Sequence, residues 1–174
     1  MVTITIFKKL TPDLYLNTIY DLDVDKLKKK GINAIITDLD NTLVGWNDPN
    51  PDAKLVKWFD NLKNHGFKVA IVSNNSENRV AHFAKQVGLP FISKAQKPRR
   101  SPFKKALEIL GSKKEETAVL GDQIFTDVLG GNRTGLFTIL VIPINPKEFI
   151  GTRIVRQCEK IVLRYLAKKG RIPS

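Results

Sequence analysis

Apolar positions along the chain switch between two spacings, and that switching sets the expected architecture. Gly31 to Thr37 is a short β-branched run that ends in Asp38 and reads as a buried strand. After a turn-rich stretch from Val44 to Asn50, Pro51 marks a first helical position. Leu55, Trp58, Phe59 and Leu62 then recur at i, i+3, i+4 and i+7 until Gly66 stops the helix. Phe67 to Val72 is a second strand. Val80, Phe83, Ala84 and Val87 repeat the helical spacing up to Gly88, and Phe91 and Ile92 make a short third strand. Ser101-Pro102 opens a helix with Phe103, Ala106, Leu107 and Leu110 on one face and Gly111 at its end. Thr117 to Leu120 and Phe137 to Ile142 read as strands four and five.

Strands separated by helices of this length form βαβ units, whose right-handed crossovers put helices on both faces of a parallel sheet. The expected fold is α/β, a three-layer αβα arrangement around five parallel strands. With no internal repeat or low-complexity tract, residues 1–174 read as one domain with its core at about 30–145. Within the lead-in 1–30, Leu10 to Leu27 supplies either a leading helix or an extra edge element. A last helix is expected from about Thr152 to Lys169. At ~100° per residue, Ile154, Cys158, Ile161, Val162 and Tyr165 share one side of it, while Arg153, Arg156, Lys160 and Arg164 share the other.

A chain of 174 residues with 42% hydrophobic content can bury a core without staples. Cys158, the single cysteine, excludes an intrachain disulfide and a cysteine-cluster zinc site, and fits a reducing compartment. Lys8, Lys9 and Asp13 break up the leading apolar residues, so no signal-peptide pattern forms. The longest apolar run, near Leu136 to Ile144, is about half the ~20 residues a membrane-spanning helix needs. The reading is a cytoplasmic protein, with peripheral membrane contact left open.

Charge changes the picture of partners rather than of fold. Lys and Arg number 29 against 17 Asp and Glu, a net +12 that suits an anionic substrate, nucleic acid or an acidic lipid surface, and equally a solvated exterior. Between Lys94 and Lys114 stand eight basic residues and one acid, Glu108; from Arg153 onward stand seven and one, Glu159. Either cluster would gain about 1 kcal/mol per charge beside an anionic bilayer.

In an open parallel sheet, ligands bind at the carboxyl ends of the strands. That rim collects Asp38, Asp40 and Thr42 after strand one, Ser73, Asn74 and Asn75 after strand two, Lys97 after strand three, and Asp122 with Asp127 after strand four. Phosphoryl transfer is mostly positioning and charge stabilisation, and asks for a divalent ion plus a cation near the phosphate oxygens. Asp38 and Asp122 suit magnesium, and a metal-bound carboxylate facing phosphorus is a competent nucleophile. Asp40 would protonate the leaving alkoxide and later activate water. Alone, the Asp38-x-Asp40-x-Thr42 run reads equally well as turn or cap chemistry, and Ser73, Lys97 and Gly121-Asp122 read more readily as a cap, a solvated lysine and a turn; their shared address after strands carries the assignment.

Taken together, Asp38-Leu-Asp-Asn-Thr-Leu43, Ser73, Lys97-Pro98 and Gly121-Asp122 with Asp127 resemble the four motifs of the haloacid dehalogenase superfamily, over about Ile32 to Ile142. The resemblance implies a Rossmann-like sheet of order 5-4-1-2-3 and a Mg2+-dependent phosphatase. It assigns Asp38 as nucleophile and metal ligand, and Asp40 as acid/base and, through its carbonyl, a metal ligand. Thr42 shapes the phosphate loop, Ser73 and Lys97 hold phosphoryl oxygens, and Asp122 and Asp127 hold the metal. Dehalogenases of the superfamily lack the second acid, so Asp40 favours phosphatase chemistry. Eight residues between Thr42 and Pro51, and 24 positions from Ser73 to Lys97, leave no room for a cap domain at either usual insertion site.

An open site suits a bulky or surface-bound anionic substrate, or closure by a second subunit. Trp46 would line the substrate path, and Arg99 and Arg100 would contact substrate from beside Lys97. The same motifs, with Leu10-Thr-Pro12 and Thr152-Arg-(x)2-Arg156, resemble subfamily IIIA and its YqeG-like branch, akin to the mitochondrial phosphatidylglycerophosphate phosphatases. The implied reaction is hydrolysis of such a lipid phosphomonoester at a membrane face. The alternatives are a soluble phosphatase for small metabolites or nucleic-acid ends, and an RNA- or ribosome-binding protein with a vestigial site. No aromatic-rich RNA-binding signature accompanies the basic runs.

Overall fold

The structure, a computed structural model, describes residues 7–145 and 150–172, with the backbone alone for 150–154. In chain order, β1 (Leu14–Leu16) and α1 (Val24–Lys29) precede β2 (Ala34–Thr37), α2 (Ala53–Asn64), β3 (Lys68–Val72), α3 (Glu77–Val87), β4 (Phe91–Ile92) and α4 (Arg100–Leu110). β5 (Thr117–Gly121), α5 (Leu129–Thr134), β6 (Phe137–Val141) and α6 (Ile150–Lys168) complete the order. The described strands make one parallel sheet, β1-β6-β5-β2-β3-β4.

Five strands keep the expected order, and a sixth corrects the count. The undecided Leu10 to Leu27 segment contributes edge strand β1, paired Leu14 to Ile139 through Leu16 to Val141. Asp13 fixes that register: its carboxylate accepts the Thr138 amide at 2.7 Å, and its own amide donates to the Thr138 carbonyl at 2.9 Å. Two helix starts also move. Asp52 caps α2 by accepting the Leu55 amide at 2.7 Å, which leaves Pro51 outside, and α4 begins at Arg100, with Pro102 in a first turn that needs no amide.

Alternation along the strands sorts side chains into two layers. Ile35, Ile71, Leu120 and Ile139 face Leu55, Leu62, Val80 and Phe83 of α2 and α3. Ala34, Ile36, Ala70, Val72 and Val119 face Phe103, Ala106 and Leu110 of α4. With both faces covered, the strands carry apolar residues at successive positions, and the functional groups are left at their carboxyl ends.

The last helix sits in a register other than expected. Cys158 is exposed, Ile161 is 67% exposed and Tyr165 lies half out against Phe7, whereas Glu159 and Leu166 are buried. Val162 and Leu163 pack onto Ile124, Val128 and Leu140. Arg156, expected on the solvated back, turns inward; the side chains of Arg153 and Ile154 lie outside the described residues. No described helix is long and apolar enough to cross a membrane.

Candidate active site

Four segments meet where β2, β3, β4 and β5 end, with α6 beside them. Asp38 follows β2, tied to β5 by its amide, which donates to the Leu120 carbonyl at 2.9 Å. The loop beyond it closes tightly: the Asn41 amide reaches the Val44 carbonyl at 2.7 Å and Asn41 takes a φ of 62°. After β5 the chain makes a π-helical turn, Ile124–Val128, with the Val128 amide donating back to the Gln123 carbonyl at 3.3 Å. That turn carries Asp127 inward from a stretch that reads in sequence as an ordinary turn.

Lys97 is the electrostatic centre. Its ammonium lies 2.8 Å from Asp38 Oδ1 and 2.6 Å from Asp127 Oδ1, with almost no exposed surface. Burial works to lower its pKa, but the Asp127 and Asp38 carboxylates outweigh burial and hold it above the ordinary lysine value. Asn74 fixes the backbone there, its Oδ1 accepting the Lys97 amide at 2.7 Å and its Nδ2 donating to the Lys97 carbonyl at 3.4 Å. Ser73 is buried at the same rim, with its Oγ accepting the Asn75 amide at 3.2 Å.

Asp38, Asp122 and Asp127, all buried, each offer an oxygen within 4.8 Å of the others. Burial, with the charges of Asp38 and Asp127, pushes Asp122 up to about 8 against the opposing pull of Arg156; burial and Asp38 push Asp127 up to about 6 against Lys97. Three crowded, oxygen-only, desolvated donors fit a hard divalent cation, which would relieve the repulsion that raises both pKa values. The Thr42 hydroxyl donates to Asp122 Oδ1 at 2.9 Å, so Thr42 supports a carboxylate as well as shaping the loop.

A cavity of about 710 Å³ opens above these groups, lined by Asp38, Asp40, Ser73, Asn74 and Lys97, with half-exposed Trp46 at its edge. Arg99 and Arg100 do not reach it. Both are exposed at the start of α4, and the Arg99 guanidinium donates to Gln96 Oε1 at 2.7 Å. No folded insertion stands in the loop before α2 or between Ser73 and Lys97, although Val155 of α6 forms part of the cavity wall.

Sequence reasoning missed three members of the arrangement, Arg79, Arg156 and Glu159, and gave no partner for Asn75 at the rim. Arg79 clasps Asp40 Oδ1 from Nε at 3.2 Å and Nη2 at 3.0 Å, and Asn75 Nδ2 donates to Asp40 Oδ2 at 2.8 Å. Arg79 was detectable, because a cation in the first turn of a helix opposes the helix dipole and calls for an acidic partner nearby. Arg156 donates from Nη1 to the Asp122 carbonyl at 2.7 Å and pairs through Nη2 with Asp122 Oδ2. Glu159 holds Arg156 Nη1 at 2.7 Å and accepts the Ile124 and Phe125 amides at 2.6 and 3.3 Å.

The raised Asp122 pKa makes a stability prediction. An acid whose folded-state pKa exceeds its unfolded value near 3.9 favours the native state at low pH and loses that contribution as pH rises, here between about 4 and 8. Melting in EDTA should therefore occur at lower temperature at pH 8 than at pH 6. Asp122→Asn should flatten this dependence, and added Mg2+ should raise the wild-type melting temperature more at pH 8 than at pH 6. Equal pH dependence in the variant and the wild type would contradict the assignment.

Three comparisons place the chain among known proteins. The family model described as haloacid dehalogenase-like hydrolase matches residues 4–135. The probable phosphatase YqeG of Bacillus subtilis is 47% identical over 165 residues, covering 95% of this chain and 96% of that protein. The chloroplastic/mitochondrial phosphatidylglycerophosphate phosphatase 1 of Arabidopsis thaliana is 26% identical across 87% of this chain, which spans 47% of that longer protein. In fold alone, the cobalt-bound deoxy-D-mannose-octulosonate 8-phosphate phosphatase of Haemophilus influenzae superposes with a TM-score of 0.54 at 16% identity, over 79% of this chain and 90% of that one. By the matched family model and the extent of these relatives, the chain belongs to the haloacid dehalogenase-like hydrolase family and is an enzyme of its phosphatase class.

Proposed function

We propose that the chain is a Mg2+-dependent phosphomonoesterase working through an aspartyl-phosphate on Asp38. The observation that carries this reading is the buried cluster of Asp38, Asp122 and Asp127, with the Lys97 ammonium 2.8 Å from Asp38. Asp38, Asp122 and Asp127 would hold the ion, with the Asp40 carbonyl as a further oxygen; when bound, it supplies positive charge against the phosphoryl oxygens.

The side chains then divide the work. An Asp38 oxygen attacks phosphorus as the ester P–O bond breaks, and Asp40, held by Asn75 and Arg79, hands its proton to the leaving alkoxide. Asp40 next takes a proton from the water that attacks the acyl-phosphate, freeing Asp38 and inorganic phosphate. Lys97 and Ser73 hold the phosphoryl oxygens, while Thr42 and Asn74 keep Asp122 and Lys97 in place.

For the substrate, the reading is a lipid phosphomonoester such as phosphatidylglycerophosphate, met at an anionic membrane face. The named activity of the Arabidopsis relative, the net +12 and a large cavity with no inserted cap support it. Arg99 and Arg100, outside the cavity, serve only a substrate or surface that extends beyond it. Phosphate release across a panel of monoesters, including phosphatidylglycerophosphate in mixed micelles, should stop with EDTA, return with Mg2+ and be fastest for the lipid. Release indifferent to chelation would overturn the metal requirement, and a preference for water-soluble esters would overturn the lipid assignment.

A further inference from the structure

We infer that Arg156 and Glu159 are positioning residues of the metal site, so that α6 acts as a brace on the loop bearing Asp122 and Asp127. The inference rests on the proposed metal-dependent reading and adds residues from a helix beyond the matched segment 4–135.

Three observations converge. Arg156 grips Asp122 twice, through the carboxylate and through the residue's own carbonyl, so rotation about the Asp122 side chain is blocked from the α6 side. Thr42 holds the other carboxylate oxygen at 2.9 Å. One hydrogen bond to each oxygen leaves each with a lone pair to offer a cation, in a fixed direction.

Glu159 supplies the second half of the brace. The amides of Ile124 and Phe125 open the π-helical turn, where Gln123 provides no side-chain cap. Donors at such a start need acceptors from elsewhere, and Glu159, 3% exposed, takes both. Its second oxygen holds Arg156. Buried acids are seldom kept without paired partners, and among the described residues the partners of Glu159 belong either to the metal-bearing turn or to the arginine that grips Asp122.

Simple electrostatics gives the opposite expectation, which makes the test decisive. A guanidinium beside a metal ligand repels a divalent cation, so removing it should tighten binding if charge alone mattered. If positioning dominates, loss of an outer-shell partner weakens metal affinity by about 10–100-fold.

The experiment is Mn2+ binding to the full chain by electron paramagnetic resonance, with melting measured with and without metal, for wild type, Arg156→Ala, Arg156→Lys and Glu159→Gln. Arg156→Ala is expected to raise the Mn2+ dissociation constant about tenfold or more and to shrink the metal-induced rise in melting temperature. Arg156→Lys, keeping charge without the fork, should recover only part of the loss. Unchanged or tighter Mn2+ binding in Arg156→Ala would overturn the brace. So would a lowered metal-free melting temperature with an intact metal increment, which marks a merely structural role. Should Arg156→Ala fail to fold, the Arg156→Lys and Glu159→Gln constants decide on the same criteria. A wild type that binds no Mn2+ would overturn the metal-site reading and the brace with it.

Discussion

Asp38→Asn is expected to abolish turnover while leaving the fold intact. The change removes the attacking oxygen's charge and one contact to the Lys97 ammonium, now 2.8 Å away, but preserves volume and shape. Lys97 keeps Asp127 at 2.6 Å, and the variant relieves an anionic cluster whose mutual repulsion raises Asp122 and Asp127, so no stability penalty is anticipated. The loss should reach about three orders of magnitude or more in kcat, some 4 kcal/mol of barrier. A quenched reaction with labelled substrate should leave label on wild-type protein and none on the variant. If Asp38 only helped hold the cation, Asp122 and Asp127 would keep it in place and Lys97 would preserve most of the rate. Activity within about tenfold of wild type would remove the covalent route.

Most of the rim was legible because one rule covered it. Asp38, Ser73, Lys97 and Asp122 each follow an apolar run, and parallel pairing brings such positions to one edge. Edge strand β1 was legible only as one of two alternatives for its segment, since three half-buried residues show no periodicity and their pairing depends on Asp13 meeting Thr138, 125 positions away. The face of α6 was misassigned for a related reason. Ile161, Val162 and Leu163 are consecutive, so two stripes one residue apart both satisfy the helical period. The buried stripe contains Glu159, which hydropathy places in solvent; its burial follows from the amides of Ile124 and Phe125, whose lack of a local cap appears only once the turn is folded. Arg79 and Arg156 escaped because the acids they hold at the site lie 39 and 34 positions distant; locally, Arg79 shows only its place in a first turn and Arg156 only Glu159 three residues on. Arg99 and Arg100 show the converse. Nearness to Lys97 in sequence did not carry them into the cavity, because α4 begins at that point and keeps both exposed.

Gly121→Ala is expected to disable the site through one methyl group. Gly121 ends β5 outside the left-handed region, so its backbone accepts alanine and the usual argument for a turn glycine does not apply. What requires glycine is Asp127. A Cβ at Gly121 would stand 2.2 Å from Asp127 Cγ and 2.3 Å from Oδ2, against about 3.5 Å for a relaxed contact. The carboxyl cannot simply rotate away, being buried and held by Lys97 at 2.6 Å, the Gln123 amide at 3.2 Å and the Thr126 hydroxyl at 3.3 Å. Relief therefore moves Asp127 by about 1 Å, and displacements of that size at a reacting centre cost about 100-fold in rate. Overpacking adds about 1–3 kcal/mol of destabilisation, so melting should be recorded beside activity. The expected pattern is a fall in kcat and in Mg2+ affinity, with KM for a small ester little changed. Asp127→Gly supplies the control: if the clash is the whole cause, Gly121→Ala should add nothing to it, because the Cβ, Cγ and Oδ2 atoms it strikes are gone. Full activity in Gly121→Ala, or losses that simply add in the double variant, would mean that the glycine serves some purpose other than admitting the Asp127 carboxylate.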